Sequence, residues 1–123
     1  MKVLLIDDSK TMRDIQKSVL KQLGYTDIEE AVSGEDAMSK VADFNPDLCL
    51  VDWNMPEMDG LAFVKNFRRQ NKVTPLIMVT TEAEKSRVIE AIRAGVNNYV
   101  VKPFTPDLLS ERITETLAKR RAA

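Results

Sequence analysis

Short runs of consecutive apolar residues punctuate the chain at positions 3–6, 48–51, 76–79 and 99–101. Runs without polar alternation suit parallel strands covered on both faces. A weaker segment, residues 28–32, carries two glutamates and predicts a more exposed strand. Between these runs the apolar spacing becomes helical. Met12, Ile15, Val19 and Leu23 mark the stripe of a first helix, with Gly24 just beyond its end. Ser33 with Asp36 predicts the start of a second helix carrying Met38, Val41 and Ala42, and Leu61, Val64 and Phe67 mark a third. Thr81 followed by Glu84 reads as a capping box opening a fourth helix that Gly95 closes. Thr105-Pro106-Asp107 predicts the cap and first turn of a fifth, with Leu109, Ile113 and Leu117 inward.

Strand and helix therefore alternate five times, with no linker, repeat or low-complexity stretch. The pattern predicts one α/β domain over residues 1–123, a doubly wound sheet with helices on both faces. The second strand, with its glutamates, and the fifth, which Asn97-Asn98 opens, are the most polar and belong at the edges. The order 2-1-3-4-5, that of flavodoxin-like (βα)5 sandwiches, satisfies this.

In such a sheet the site lies beyond the carboxyl ends of the strands, where the order reverses between strands 1 and 3. Strand 1 runs out at Asp7-Asp8, strand 3 at Asp52, strand 4 at Thr80 and strand 5 at Lys102. Each has an ordinary structural explanation alone: Asp8 or Ser9 as a helix cap, Asp52 as a loop start, Lys102-Pro103 as an exposed turn. Their convergence on one sheet edge is what points to chemistry. Clustered carboxylates repel one another and favour a cation. Oxygen ligands favour a hard ion, magnesium before zinc. Three aspartates and Lys102 sum to −2, which a divalent ion cancels so that an anionic donor can approach. Asp52, sitting centrally, is the best nucleophile for an aspartyl phosphate, with Asp7 and Asp8 holding the metal. Lys102 and Thr80 would then contact phosphoryl oxygens.

Composition narrows the field. The 123 residues include 18 Lys+Arg against 19 Asp+Glu, a net charge of −1, so the broad basic surface of a nucleic-acid binder is absent. Lys119-Arg120-Arg121 is locally basic and reads as a cationic helix end. Histidine is absent, which excludes a Ser-His-Asp site and phosphohistidine in this chain. Cys49 is the single cysteine, expected in the core, so no internal disulfide forms. No apolar run approaches a membrane span, and a strand from Lys2 leaves no room for a leader, so a cytoplasmic protein without membrane partners is expected.

Asp7-Asp8, Asp52, Met55-Pro56, Asp59-Gly60, Thr80 and Lys102-Pro103 together resemble the receiver domains of two-component response regulators, over the whole chain. Asp52-Trp53-Asn54-Met55-Pro56 and Tyr99-Val100-Val101-Lys102-Pro103-Phe104 most resemble the chemotaxis members. The resemblance implies Asp52 as phosphoacceptor, Mg2+ held by Asp7, Asp8, Asp52 and the Asn54 carbonyl, and a cis bond into Pro103. It implies Thr80 and Tyr99 as a switch pair, with Asn54 and Glu82 tuning dephosphorylation. Thr81 departs from the smaller residue usual there and is expected to narrow access. Gly60 is expected at a loop position needing positive φ.

The implied partners are a histidine kinase as donor, a phosphatase, and a flagellar motor switch protein reached as a diffusing monomer. The signalling face is formed by the fourth helix, fifth strand and fifth helix, with Ala83, Tyr99 and Val101 as contact residues. No separate substrate is turned over. The alternatives are a magnesium phosphatase, a receiver fragment of a longer regulator, and a flavin carrier. Asn54 stands where the phosphatase needs a second carboxylate, and an acidic rim repels a flavin phosphate.

Overall fold

The computed structural model describes residues 1–122, with side chains through residue 119. The elements alternate as expected: β1 (Lys2–Ile6), α1 (Lys10–Gln22), β2 (Asp27–Ala31), α2 (Gly34–Phe44), β3 (Leu48–Asp52), α3 (Gly60–Gln70), β4 (Leu76–Thr80), α4 (Lys85–Ala94), β5 (Asn98–Val101) and α5 (Pro106–Ala122). All strand pairs are parallel and the order is β2-β1-β3-β4-β5. Every residue of β3 and β4 is buried, whereas β2 and β5 are half-buried, as their polar residues predicted.

Alternating strand residues feed two separate cores. Leu4, Ile6, Cys49, Val51, Leu76 and Met78 face α2, α3 and α4, where Ala37, Phe63, Val64, Phe67 and Ala91 pack on them. Val3, Leu5, Leu48, Leu50, Ile77 and Val79 face α1 and α5, meeting Val19, Leu20, Leu109, Ile113 and Leu117. Cys49 lies in the first core, and burial pushes its thiol up to about 12. At pH 8 the native protein should therefore react with a disulfide reagent orders of magnitude more slowly than the unfolded chain. Stoichiometric labelling within seconds under native conditions would contradict this burial.

Helix ends follow local chemistry. Ser9, Ser33 and Asp59 cap α1, α2 and α3 by accepting from the Met12, Asp36 and Ala62 N–H groups. The Thr105 hydroxyl accepts from Leu108 N–H before α5. Gly24 and Gly95 follow α1 and α4 with φ of 91° and 117°, values that favour glycine.

Three expectations are corrected. The capping box at Thr81 does not form: α4 begins at Lys85 with Glu84 as N-cap and no side-chain cap bond. Thr81 instead accepts a hydrogen bond from the Asn54 side chain, so a long-range partner outcompetes the local one. On α1 the buried stripe is Gln16, Val19 and Leu20, while Ile15 is exposed. On α2 the buried face centres on Ala37, with Ala42 exposed. Among the described residues no helix is long and apolar enough to cross a membrane. The side chains of Arg120 and Arg121, in the basic tail, lie outside the described residues.

Candidate functional site

Parallel pairing of β1 with β3 and of β3 with β4 aligns their carboxyl ends, which delivers Asp7, Asp52 and Thr80 to one rim. Asp7 and Asp52 are buried, at 1% and 5% exposure, while Asp8 is exposed. Oxygens of all three carboxylates lie within 4.8 Å of one another. Lys102 reaches in from the end of β5, with Nζ 3.2 Å from Asp7 Oδ2 and 3.3 Å from Asp52 Oδ1. Its peptide bond to Pro103 is cis.

The Asp7 carboxylate also accepts from Ser9 N–H at 2.8 Å, and Asp52 accepts from Asn54 N–H at 3.4 Å. Burial and the neighbouring Asp7 charge raise the Asp52 pKa, and Lys102 with the Asn54 N–H only partly offsets them. By formal charge, three carboxylates stand against the one ammonium of Lys102.

The remaining predicted residues divide into two groups. Thr80 is fully buried; its hydroxyl accepts from Glu82 N–H at 3.2 Å and its carbonyl from Lys102 N–H at 2.7 Å. The Tyr99 hydroxyl donates to the Glu82 carbonyl, and burial, with the Glu82 charge beside it, pushes the phenol up to about 12. Glu82 thus ties Thr80 to Tyr99 through its own main chain. Val101 pairs with Thr80 in the β4–β5 register, and Ala83 is exposed. Asn54 Nδ2 donates to Thr81 Oγ1 at 3.0 Å, joining the loop after β3 to the loop after β4.

Gly60 does not serve as expected. Its φ is not positive; instead a Cβ there would stand 2.2 Å from the Asp52 carbonyl oxygen. The glycine lets the start of α3 press against the end of β3.

Residues 3–114 match the response regulator receiver domain family.

The chain belongs to that family.

Chemotaxis protein CheY1 of Helicobacter pylori strain J99 is 52% identical to this receiver over 121 residues, spanning 95% of this chain and 97% of that protein. The chemotaxis protein CheY homolog of Campylobacter jejuni strain 81-176 is 50% identical, with 95% and 92% covered. The solved structure of Vibrio cholerae chemotaxis protein CheY4 superposes with a TM-score of 0.87 at 36% identity, covering 94% of this chain and 97% of that one. The receiver is thus a CheY-like response regulator, with the sheet order that the strand polarity predicted.

Two contacts of the receiver were not legible beforehand. Arg87 of α4 lies over the Trp53 ring, 5.5 Å from its centroid. Arg13 of α1 donates to the Asp7 carbonyl at 2.7 Å. Both join residues distant in sequence or concern main-chain oxygens, and no residue pattern flags either.

Proposed function

We propose that this receiver is a phosphorylation-controlled switch of the chemotaxis type, in which Asp52 takes a phosphoryl group from a histidine kinase. The observation that carries the reading is the buried carboxylate pair Asp7 and Asp52 bridged by Lys102, with Asp8 within reach. The donor set fits magnesium: it is oxygen-only, and three carboxylates face the single ammonium of Lys102. Asp7, Asp8, Asp52 and the Asn54 carbonyl would hold the ion. When bound, magnesium neutralises the carboxylates and the incoming phosphoryl oxygens.

An Asp52 oxygen attacks phosphorus, the P–N bond of the donor phosphohistidine breaks, and its electron pair returns to the imidazole. Lys102 then pairs with the new dianion in place of the Asp52 carboxylate. The Thr80 hydroxyl turns to the phosphoryl group and gives up the Glu82 N–H. Since Tyr99 holds the Glu82 carbonyl, the main chain of that one residue carries the change to β5. The outcome is read on the α4–β5–α5 face, through Ala83, Tyr99 and Val101, by a flagellar motor switch protein. Asn54 and Glu82 set the rate of reset, alone or with a phosphatase. The domain acts as a signalling protein and turns over no separate substrate.

The test is intact mass after acetyl phosphate with and without magnesium, followed alongside Trp53 emission. One phosphoryl adduct that requires magnesium supports the reading; no adduct under either condition overturns it.

The Asn54–Thr81 bond joins the loops after β3 and β4, two residues past Asp52 and one past Thr80. Removing the Thr81 hydroxyl releases about 1 kcal/mol of hydrogen bonding. Thr81→Ala should therefore speed phosphorylation by acetyl phosphate about fivefold, as read by Trp53 emission, whereas an unchanged rate would mean the bond does not gate entry.

A further inference from the structure

Asp7 is gripped from four directions. Its N–H donates to the Ala31 carbonyl at 3.1 Å, and its carboxylate accepts from Ser9 N–H and Lys102 Nζ. The fourth grip is Arg13 Nη1 on the Asp7 carbonyl at 2.7 Å, the length of a charge-assisted bond. The same guanidinium donates Nε–H to Glu30 Oε1 at 2.9 Å. Glu30 in turn receives Lys17 Nζ at 3.1 Å. Arg13 thus bridges the end of β1 to β2 with two prongs of one planar group.

A lysine ends in a single nitrogen and lacks that fork. The Arg13 side chain is only 11% exposed, so the fork is desolvated as well as bonded. Its backbone N–H donates to the Ser9 carbonyl, so the segment from Asp7 to Arg13 is closed on itself at both ends.

A cation so near an expected metal site is electrostatically unfavourable for metal binding. Glu30 offsets part of that charge. What remains to explain the placement is geometry. The Asp7 carbonyl belongs to the peptide that joins the two adjacent acids, and holding it fixes the directions in which both carboxylates leave the main chain.

We propose that Arg13, anchored by Glu30, is a positioning residue that fixes the Asp7–Asp8 peptide and so presets the acidic cluster for a divalent cation. This rests on the magnesium reading of the site. Charge and positioning make opposite predictions. If Arg13 acts only as a positive charge, its loss tightens magnesium binding. If it positions, its loss weakens binding, because outer groups that orient metal ligands are worth about 10–100-fold in affinity.

The test is calorimetric titration of the metal-free protein with magnesium chloride, paired with melting curves in chelator and in saturating magnesium. Arg13→Lys keeps the charge and loses the two-pronged bridge. It should weaken magnesium about tenfold and shrink the magnesium-induced gain in Tm, while the chelator Tm stays within a few degrees of the parent. Arg13→Gln should weaken magnesium as well. Magnesium affinity within twofold of the parent in Arg13→Lys, or tighter binding in Arg13→Gln, overturns the role. Asp8→Asn separates the layers. If it abolishes magnesium binding while Arg13→Lys leaves it intact, only the positioning role fails. If Asp8→Asn also binds normally, the metal site itself is wrong and the role of Arg13 falls with it.

Discussion

Asp52→Asn should take up no phosphoryl group from acetyl phosphate and, in chelator, should melt at a higher temperature than the parent. The first result follows from chemistry, since an amide oxygen is a poor nucleophile and leaves no carboxylate for the aspartyl phosphate. The second follows from the balance of forces on Asp52. Burial and the Asp7 charge oppose ionisation, Lys102 and the Asn54 N–H favour it, and the raised pKa shows that opposition wins. A carboxyl whose folded pKa lies above its unfolded value binds more protons in the folded state between the two values. Stability therefore falls as pH rises through that window and stays lower at neutral pH. Asparagine removes the penalty at nearly constant volume. Calorimetric melts at pH 7 in chelator check the sign, and a lower Tm for the variant would show that the Lys102 contact outweighs the repulsion. With magnesium the order should narrow or reverse, because the parent gains binding free energy that the variant lacks.

Gly60→Ala should be the most damaging single-methyl change near the site. The added carbon would stand 2.2 Å from the Asp52 carbonyl oxygen and 2.8 Å from Trp53 Cα, both main-chain atoms that cannot swing aside. Gly60 N–H also donates to the Trp53 carbonyl at 2.8 Å, which ties the two segments at the point of collision. Overpacking usually costs about 1–3 kcal/mol, and a main-chain obstacle places this case at or beyond the top. At roughly 3–5 °C per kcal/mol for a domain of this size, Tm should fall by about 10 °C or more. Gly24→Ala is the contrast. Nothing lies within 4 Å of a Cβ there, and only its φ of +91° resists the change, at about 1–2 kcal/mol. Equal melting of the two variants would show that the close approach at Gly60 carries no strain.

The sheet was legible because burial writes itself into residues 3–6, 48–51 and 76–79 as unbroken apolar runs, and glutamates and asparagines expose the edges. The site was legible because strand-end chemistry needs no contact map: once five strands are parallel, Asp7, Asp52, Thr80 and Lys102 share a rim. Failures come where tertiary packing overrides a local pattern. Thr81 and Glu84 have the spacing of a cap, yet Asn54, 27 residues away, claims the threonine hydroxyl. Ile15 reads as core on a helical wheel, but Gln16 takes the inward position and only packing decides between them. Gly60 opens α3 and does not sit in a loop; close approach and positive φ leave the same residue in a sequence. Arg13 gives no signal, since its partner at the site is a main-chain carbonyl.

The polarity that marks β2 and β5 as edges also bears on crowding. A sheet with an open edge offers unpaired main-chain groups to any other chain, and like charges and short strands are what discourage that pairing. β2 carries Asp27, Glu29 and Glu30 in five residues, so a second copy laid against it would bring acids beside acids. β5 offers only four residues, and the Asn98 side chain is already committed to Thr116 and Glu115 of α5. Neither border invites runaway strand addition, which leaves helical surfaces free to meet partners while the sheet resists fibrous aggregation.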